Sequence, residues 1–253
     1  MPPIARYDEI ADFYAGEIGD HLDDPGTAGL LELLGPVTGL RLLDLACGQG
    51  RMTRELARRG AAVSGADLSV PLVTQARDME REVPLGIDYV IADAGDAAAL
   101  GAGSFDGVVC NFGLSDIDDL DGTLSTVSRV LRHGGFFVMS ILHPCFPGWT
   151  ENVSGSWPAG RGYFAEGWWR ANAASSRIRQ QVGANHRMMS TYLNSLARHG
   201  LVVQAALEPL PPQSWLTDNP AADPVPTFLV LRCVNIPSQA EWSPRAASEA
   251  ESG

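Results

Sequence analysis

Short apolar runs alternate with longer mixed segments from residue 41 to residue 142. Arg41–Leu45 is a strand-length apolar run that stops at Ala46-Cys47-Gly48-Gln49-Gly50. Arg51–Arg59 follows as a helix ended by Gly60, and Ala62–Gly65 is a small-residue strand reaching Asp67. Ser69-Val70-Pro71 opens the next helix. Ser69 suits the cap, and Pro71 falls in the first turn, where a missing N–H costs nothing. Ile87–Ala92, Phe105–Asn111 and Phe136–Leu142 complete five strands, with a helix over Leu120–Leu131 ended by His133-Gly134-Gly135. Strands alternating with helices of this length predict a parallel, doubly wound α/β sheet.

The pattern changes after Leu142. From His143 to about Asn185 there is no clear period, yet Phe146, Trp149, Trp157, Tyr163, Phe164, Trp168 and Trp169 crowd this stretch. A helix is predicted over His186–His199, then strands over Leu201–Glu208 and Thr227–Val234, with Pro211, Pro212 and Trp215 in the loop between them. The Ala/Ser/Glu-rich segment from Pro237 to Gly253 is expected to be disordered. At 253 residues and 45% hydrophobic, residues 1–236 suit one domain carrying an insert over about 144–185.

A net charge of −12 gives no electrostatic footprint for nucleic acid. It also lacks the basic excess that anionic membrane surfaces attract. No apolar run approaches the roughly 18 residues of a membrane span. The N-terminus has no apolar signal region, and Cys47, Cys110, Cys145 and Cys233 form no C-x-x-C pair. The expectation is a cytoplasmic protein with reduced thiols, no metal site and no membrane partner, monomeric or homodimeric.

In an open α/β sheet, ligands bind outside the carboxyl ends of the strands. The first strand ends at a loop where Gly48 and Gly50 let a ligand approach the backbone, with Asp44 placed to brace the loop or a cationic ligand, a candidate cofactor-binding residue. Asp67 lies 17 residues after Gly50, where a carboxylate accepts from both hydroxyls of a ribose. Asp93 with the Ala94 N–H offers the acceptor and donor that an adenine edge needs. A dinucleotide fingerprint would require glycine at position 53, which is threonine, so a ligand lacking pyrophosphate fits better.

The motifs L-L-D-L-A-C-G-Q-G, G-A-D-L-S, A-D-A, F-D-G-V-V-C-N-F-G-L and G-G-F-F-V-M-S-I-L-H-P-C-F, spread through Tyr7–Val234, resemble a class I S-adenosylmethionine-dependent methyltransferase of the small-molecule, ubiquinone/menaquinone-biosynthesis-like group. The resemblance implies a Rossmann-like seven-stranded sheet in the order 3-2-1-4-5-7-6 with strand 7 antiparallel. It also implies an S-adenosyl-L-methionine site. Ala46, Cys47, Gly48 and Gly50 would meet the methionine moiety, Asp67 the ribose, Leu68 the adenine face, and Asp93 and Ala94 the adenine edge. Asn111 and Phe112 would line the sulfonium region, and a helical lid over about residues 1–35 would bring Tyr7 and Tyr14 across the cofactor.

His143, directly after the fifth strand, is the candidate general base or acceptor-orienting group; His186, at the start of the next helix, is the second. Asp116, Asp118, Asp119 and Asp121 read as a solvated helix start. The aromatic insert suggests a flat, largely apolar small-molecule acceptor. Two other classes stay open: a protein that binds the cofactor without methylating, such as a cyclase-like enzyme or regulatory module, and a nucleic-acid methyltransferase. The latter would want a basic groove and an Asn-Pro-Pro-Tyr-like motif where Asn111-Phe112-Gly113-Leu114 stands.

Overall fold

A computed structural model describes residues 5–96, 98, 100–145, 162–170, 177–210 and 225–236. The expectations for Phe146, Trp149 and Trp157, for the Pro211-Pro212 loop with Trp215, and for the tail from Pro237 lie outside the described residues.

The strands are β1 (Arg41–Leu45), β2 (Ala62–Asp67), β3 (Asp88–Ile91), β4 (Phe105–Asn111), β5 (Leu131–Leu142), β6 (Gly167–Trp169), β7 (Ala184–His186), β8 (Leu201–Leu207) and β9 (Phe228–Asn235). The helices are α1 (Ala11–Ile18), α2 (Pro25–Leu34), α3 (Arg51–Arg58), α4 (Val70–Glu82), α5 (Leu120–Val130), α6 (Arg177–Val182) and α7 (Met189–Arg198). The main sheet runs β3-β2-β1-β4-β5-β9-β8, and β9 is antiparallel to both neighbours. Counting its strands alone, this is the expected order. Among the described residues, no helix is long and apolar enough to cross a membrane.

The central strands are mostly apolar, and their period of two sorts the apolar side chains onto two cores. Leu42, Val109 and Val138 face Leu30 and Leu34 of α2 and Met52 and Leu56 of α3. Leu43, Val108, Phe137 and Met139 face Leu124 and Val127 of α5 and Leu196 of α7. Each fully buried leucine contributes about 1.5–3 kcal/mol relative to exposure.

Several boundaries move, each for a local reason. α5 ends at Val130, and the chain enters β5 at Leu131 rather than Phe136. The Gly134-Gly135 pair lies within that strand at a register shift, because Phe105 pairs with Leu131 while Gly107 pairs with Phe136. α7 begins at Met189, so His186 does not start a helix but closes β7. Residues 184–186 pair antiparallel with Gly167–Trp169, entered through Gly183 at φ +67°. A Cβ on Gly183 would stand 2.3 Å from the Trp169 carbonyl oxygen, so that corner requires glycine.

The N-terminal helix is also shorter than expected. A 3₁₀ turn over Asp8–Ile10 precedes α1, and Tyr7 lies before both. α2 is capped by the Asp24 carboxylate, which accepts from Thr27 N–H at 2.8 Å. Leu30 and Leu34 are buried against the sheet, so α2 is core, and the segment covering the glycine loop ends near Gly19.

Candidate functional site

β1 ends in a sharp loop because three residues in sequence reach left-handed backbone: Ala46 at φ +58°, Gly48 at +57° and Gly50 at +81°. The two glycines serve different ends. A Cβ on Gly50 would lie 2.3 Å from the Tyr89 hydroxyl, so Gly50 is needed for packing beneath the loop. A Cβ on Gly48 would meet only Tyr14, at 3.7 Å, and Leu72, at 4.0 Å. The outward face of Gly48 is therefore roofed chiefly by α1. Cys47 turns inward against Tyr89, Val73 and Ala76, and burial pushes its thiol well above the usual range, so it stays protonated.

Asp67 holds the loop in shape. One carboxylate oxygen accepts from Gly48 N–H and the other from Ser69 N–H, both at 2.8 Å. Burial raises its pKa, and the two backbone donors oppose that rise. Ser69 in turn caps α4, accepting from Leu72 N–H at 3.4 Å. Asp44 is 1% exposed and accepts from the Thr53 hydroxyl at 2.6 Å. Burial pushes it up to about 7. Thr53, where a dinucleotide enzyme would carry its third glycine, is thus the brace for Asp44.

Asp44, Ala46, Cys47 and Asn111 meet Tyr14 around a cavity of about 20 Å³, room for one water. The Asn111 amide donates to the Thr27 hydroxyl at 2.9 Å, and its oxygen accepts from Ser140 at 2.6 Å. Asn111 therefore ties α2 to β5 as well as lining the cavity. Phe112 is left-handed at φ +64°, and its ring packs on Phe228, with centroids 5.2 Å apart, and over Gly26. Its ring is not among the residues lining the cavity.

Asp93 and Ala94 stand at the end of β3, beside Asp67, whose carbonyl accepts from Ala92 N–H at 2.9 Å. Asp93 also caps its own turn, accepting from Gly95 N–H at 3.0 Å, and Ala94 is buried. Leu68 is half-buried between Asp67 and Ser69. Above the loop, Tyr7 and Tyr14 stack edge to face with centroids 5.0 Å apart. Burial pushes the Tyr14 phenol up to about 12 and Tyr7 well above its usual value, so both stay neutral donors.

His143 and His186 converge on a second cavity, of about 10 Å³, that Ser115, Trp169, Arg187 and Tyr192 also line. His143 Nδ1 accepts from Cys145 N–H at 3.1 Å, and Nε2 lies 2.8 Å from the Glu208 carboxylate. That assigns the proton to Nε2 and engages both nitrogens, an arrangement suited to orienting rather than to accepting a proton. His186 Nε2 lies 2.7 Å from the Tyr163 carbonyl, so it carries the proton there too. Burial lowers the His186 pKa and favours the neutral ring.

The acidic run does start α5, with Asp118 and Asp121 exposed, but its carboxylates are all partnered. Asp119 caps α5, accepting from Gly122 N–H at 2.9 Å, and Asp121 accepts from Ser195 and Arg198 of α7. Asp116 accepts from the Tyr7 hydroxyl at 3.0 Å and pairs with Arg179, while Asp118 binds Arg6 and Asn185. Apart from the local Gly122 cap, the spacing of carboxylates could not reveal these partners, which lie 63 or more residues away in the chain.

A family profile described as "Methyltransferase domain" matches residues 43–139. A ubiquinone biosynthesis O-methyltransferase of Xanthomonas oryzae is 36% identical over 107 residues, which cover 42% of this chain and 45% of that relative. One from Thiobacillus denitrificans is 30% identical over 144 residues, covering 55% of this chain and 62% of that one. The chain thus spans about half the length of the curated relatives it matches. Among solved structures, an S-adenosylmethionine-dependent methyltransferase from Mesorhizobium loti superposes with a TM-score of 0.67 at 30% identity, covering 84% of this chain and 98% of that one.

Proposed function

The chain belongs to the class I S-adenosylmethionine-dependent methyltransferases, and on that premise we propose that it methylates a small-molecule acceptor. The observation that carries this reading is the Gly48 loop gripped by the half-buried Asp67 carboxylate beneath two stacked tyrosines. The donor set fits the cofactor. Asp67 accepts one backbone bond on each oxygen and keeps lone pairs for ribose hydroxyls. Gly48 would face the methionine moiety once α1 lifts, and Leu68, Asp93 and Ala94 would hold the adenine. Cys47 and Gly50 contribute backbone only. The cavity under Tyr14 admits one water, so binding requires α1 to move.

S-adenosylmethionine supplies an electrophilic methyl group that an acceptor takes by in-line displacement. The protein's part is alignment and exclusion of water. Tyr7 and Tyr14 seal the loop side. Trp169, Tyr192, His143 and His186 wall the acceptor side, where imidazole and aromatic faces suit a flat, weakly polar molecule. His143, held by Glu208, orients the acceptor, and His186 is the candidate base where the acceptor must lose a proton. A net charge of −12 supports a small molecule over nucleic acid. Four unpaired thiols support a reducing, cytoplasmic setting.

The test is transfer of isotopically labelled methyl from the cofactor across a panel of phenols, quinones and heterocycles. Asp67→Ala should weaken S-adenosylhomocysteine binding by about 1.5–3 kcal/mol in calorimetry, through lost charge-assisted bonds. Unchanged affinity would remove Asp67 from the site, and binding of NAD instead would sink the methyltransferase reading.

A further inference from the structure

The N-terminal segment is fastened at two ends. Near Gly19, at φ +54°, residues of the glycine loop and α3 hold the chain: Gln49 donates to the Gly19 carbonyl at 2.9 Å, Arg51 to the His21 carbonyl, and Arg54 pairs with Asp20. At the other end Tyr7 donates to Asp116, and Arg6 binds both Asp118 oxygens at 3.0 and 2.8 Å. The same two aspartates receive the acceptor-side segment. Arg179 of α6 takes the second Asp116 oxygen and also donates to the Gly183 carbonyl at 2.9 Å. Asn185 of β7 donates to Asp118 at 2.9 Å, and the Trp168 ring lies under the Arg6 guanidinium, 3.8 Å from centroid to carbon. Arg177, also on α6, pairs with Glu17 of α1 at 3.0 Å.

From this junction we infer that Arg179 is a positioning residue: acting through Asp116, it holds Tyr7 and so closes α1 over the cofactor loop when the acceptor-side segment is seated. The inference rests on the methyltransferase reading. The physical basis is the shared carboxylate. The Asp116 side chain is 20% exposed and that of Arg179 12% exposed, so screening is weak and the charge needs its partner. With Arg179 in place, the remaining Asp116 oxygen is oriented toward the Tyr7 hydroxyl. Without it, the carboxylate turns toward water, and the tyrosine loses an aimed acceptor. Gly19 supplies the hinge at the fixed end. Cofactor retention is thereby coupled to acceptor-side order, and an acceptor that seats α6 should slow cofactor release.

The test uses the full chain and S-adenosylhomocysteine, with Arg179→Gln, Tyr7→Phe and the double variant. Arg179→Gln should weaken binding about tenfold, expressed as faster dissociation in stopped-flow measurements, as expected for loss of one bond to a charged group. Tyr7→Phe should act in the same direction, and the double variant should add little to the larger single effect. Hydrogen exchange provides the readout independent of turnover: the amides of α1 should exchange faster in Arg179→Gln, with β4 unchanged. Additive effects, or unaltered α1 exchange and dissociation, overturn the inference. Should Arg179→Gln fail to fold, Arg179→Lys with Tyr7→Phe gives the same cycle at smaller amplitude. Absence of S-adenosylhomocysteine binding by the unmodified chain would instead count against the methyltransferase reading.

Discussion

Asp44 shows how a residue named for chemistry can serve structure. It lies at the cavity, yet its measurable partner is the Thr53 hydroxyl, and burial lifts its folded pKa to about 7. An unfolded aspartate titrates near 3.9. Between these values the folded state binds the extra proton, so this group's contribution falls as pH rises from about 4 to 7. Asp44→Asn keeps an acceptor for Thr53 and carries no charge. Relative to the unmodified protein, it should gain stability from pH 5 to 7.5, on the order of 3 kcal/mol, in urea titrations at each pH. A constant difference between the two proteins would show that Asp44 stays ionised. The same scale separates the two loop glycines, which looked alike in sequence. Gly50 meets Tyr89, while Gly48 faces the cover, and only side chains distant in the chain tell them apart.

Elements in the sheet followed the apolar pattern apart from the entry to β5, which begins at Leu131. β4 occupies the expected residues, and Ser69 caps α4 with Pro71 in the first turn. The misreadings fall where a short pairing competes with a helix period. The sequence pattern puts His186 at the start of the helix, but pairing with Gly167 claims it for β7, a partner 19 residues away in sequence. Local propensity cannot register such a partner. Gly183 is the check on this account. Gly183→Ala puts a methyl against the Trp169 carbonyl at a positive φ, and the β6–β7 pair should open. The expected outcome is a loss of about 1–3 kcal/mol with faster exchange at the Trp168 and Trp169 amides. Near-normal stability would mean the corner tolerates a Cβ.

At the scale of the molecule, the sheet divides its apolar side chains between two cores, and α2 belongs to one of them rather than to the cover. Leu30 is 0% exposed. Leu30→Ala should cost about 2–5 kcal/mol in unfolding experiments while S-adenosylhomocysteine affinity of the folded protein stays near normal. A matched loss of affinity would return α2 to the cover. The sequence by itself determined the layer architecture, the strand order through its resemblance, and the loop-plus-aspartate site. The layers and the loop-plus-aspartate geometry follow from periodicities of two and 3.6 and from residues at strand ends, all local in the chain. Only the tertiary structure decided that Asp116 serves Tyr7 and Arg179 and that His143 is engaged at both nitrogens. It alone placed α2 in the core. The Asp116 and Glu208 contacts join side chains 63 to 109 residues apart, and no spacing along the sequence encodes that choice of partner.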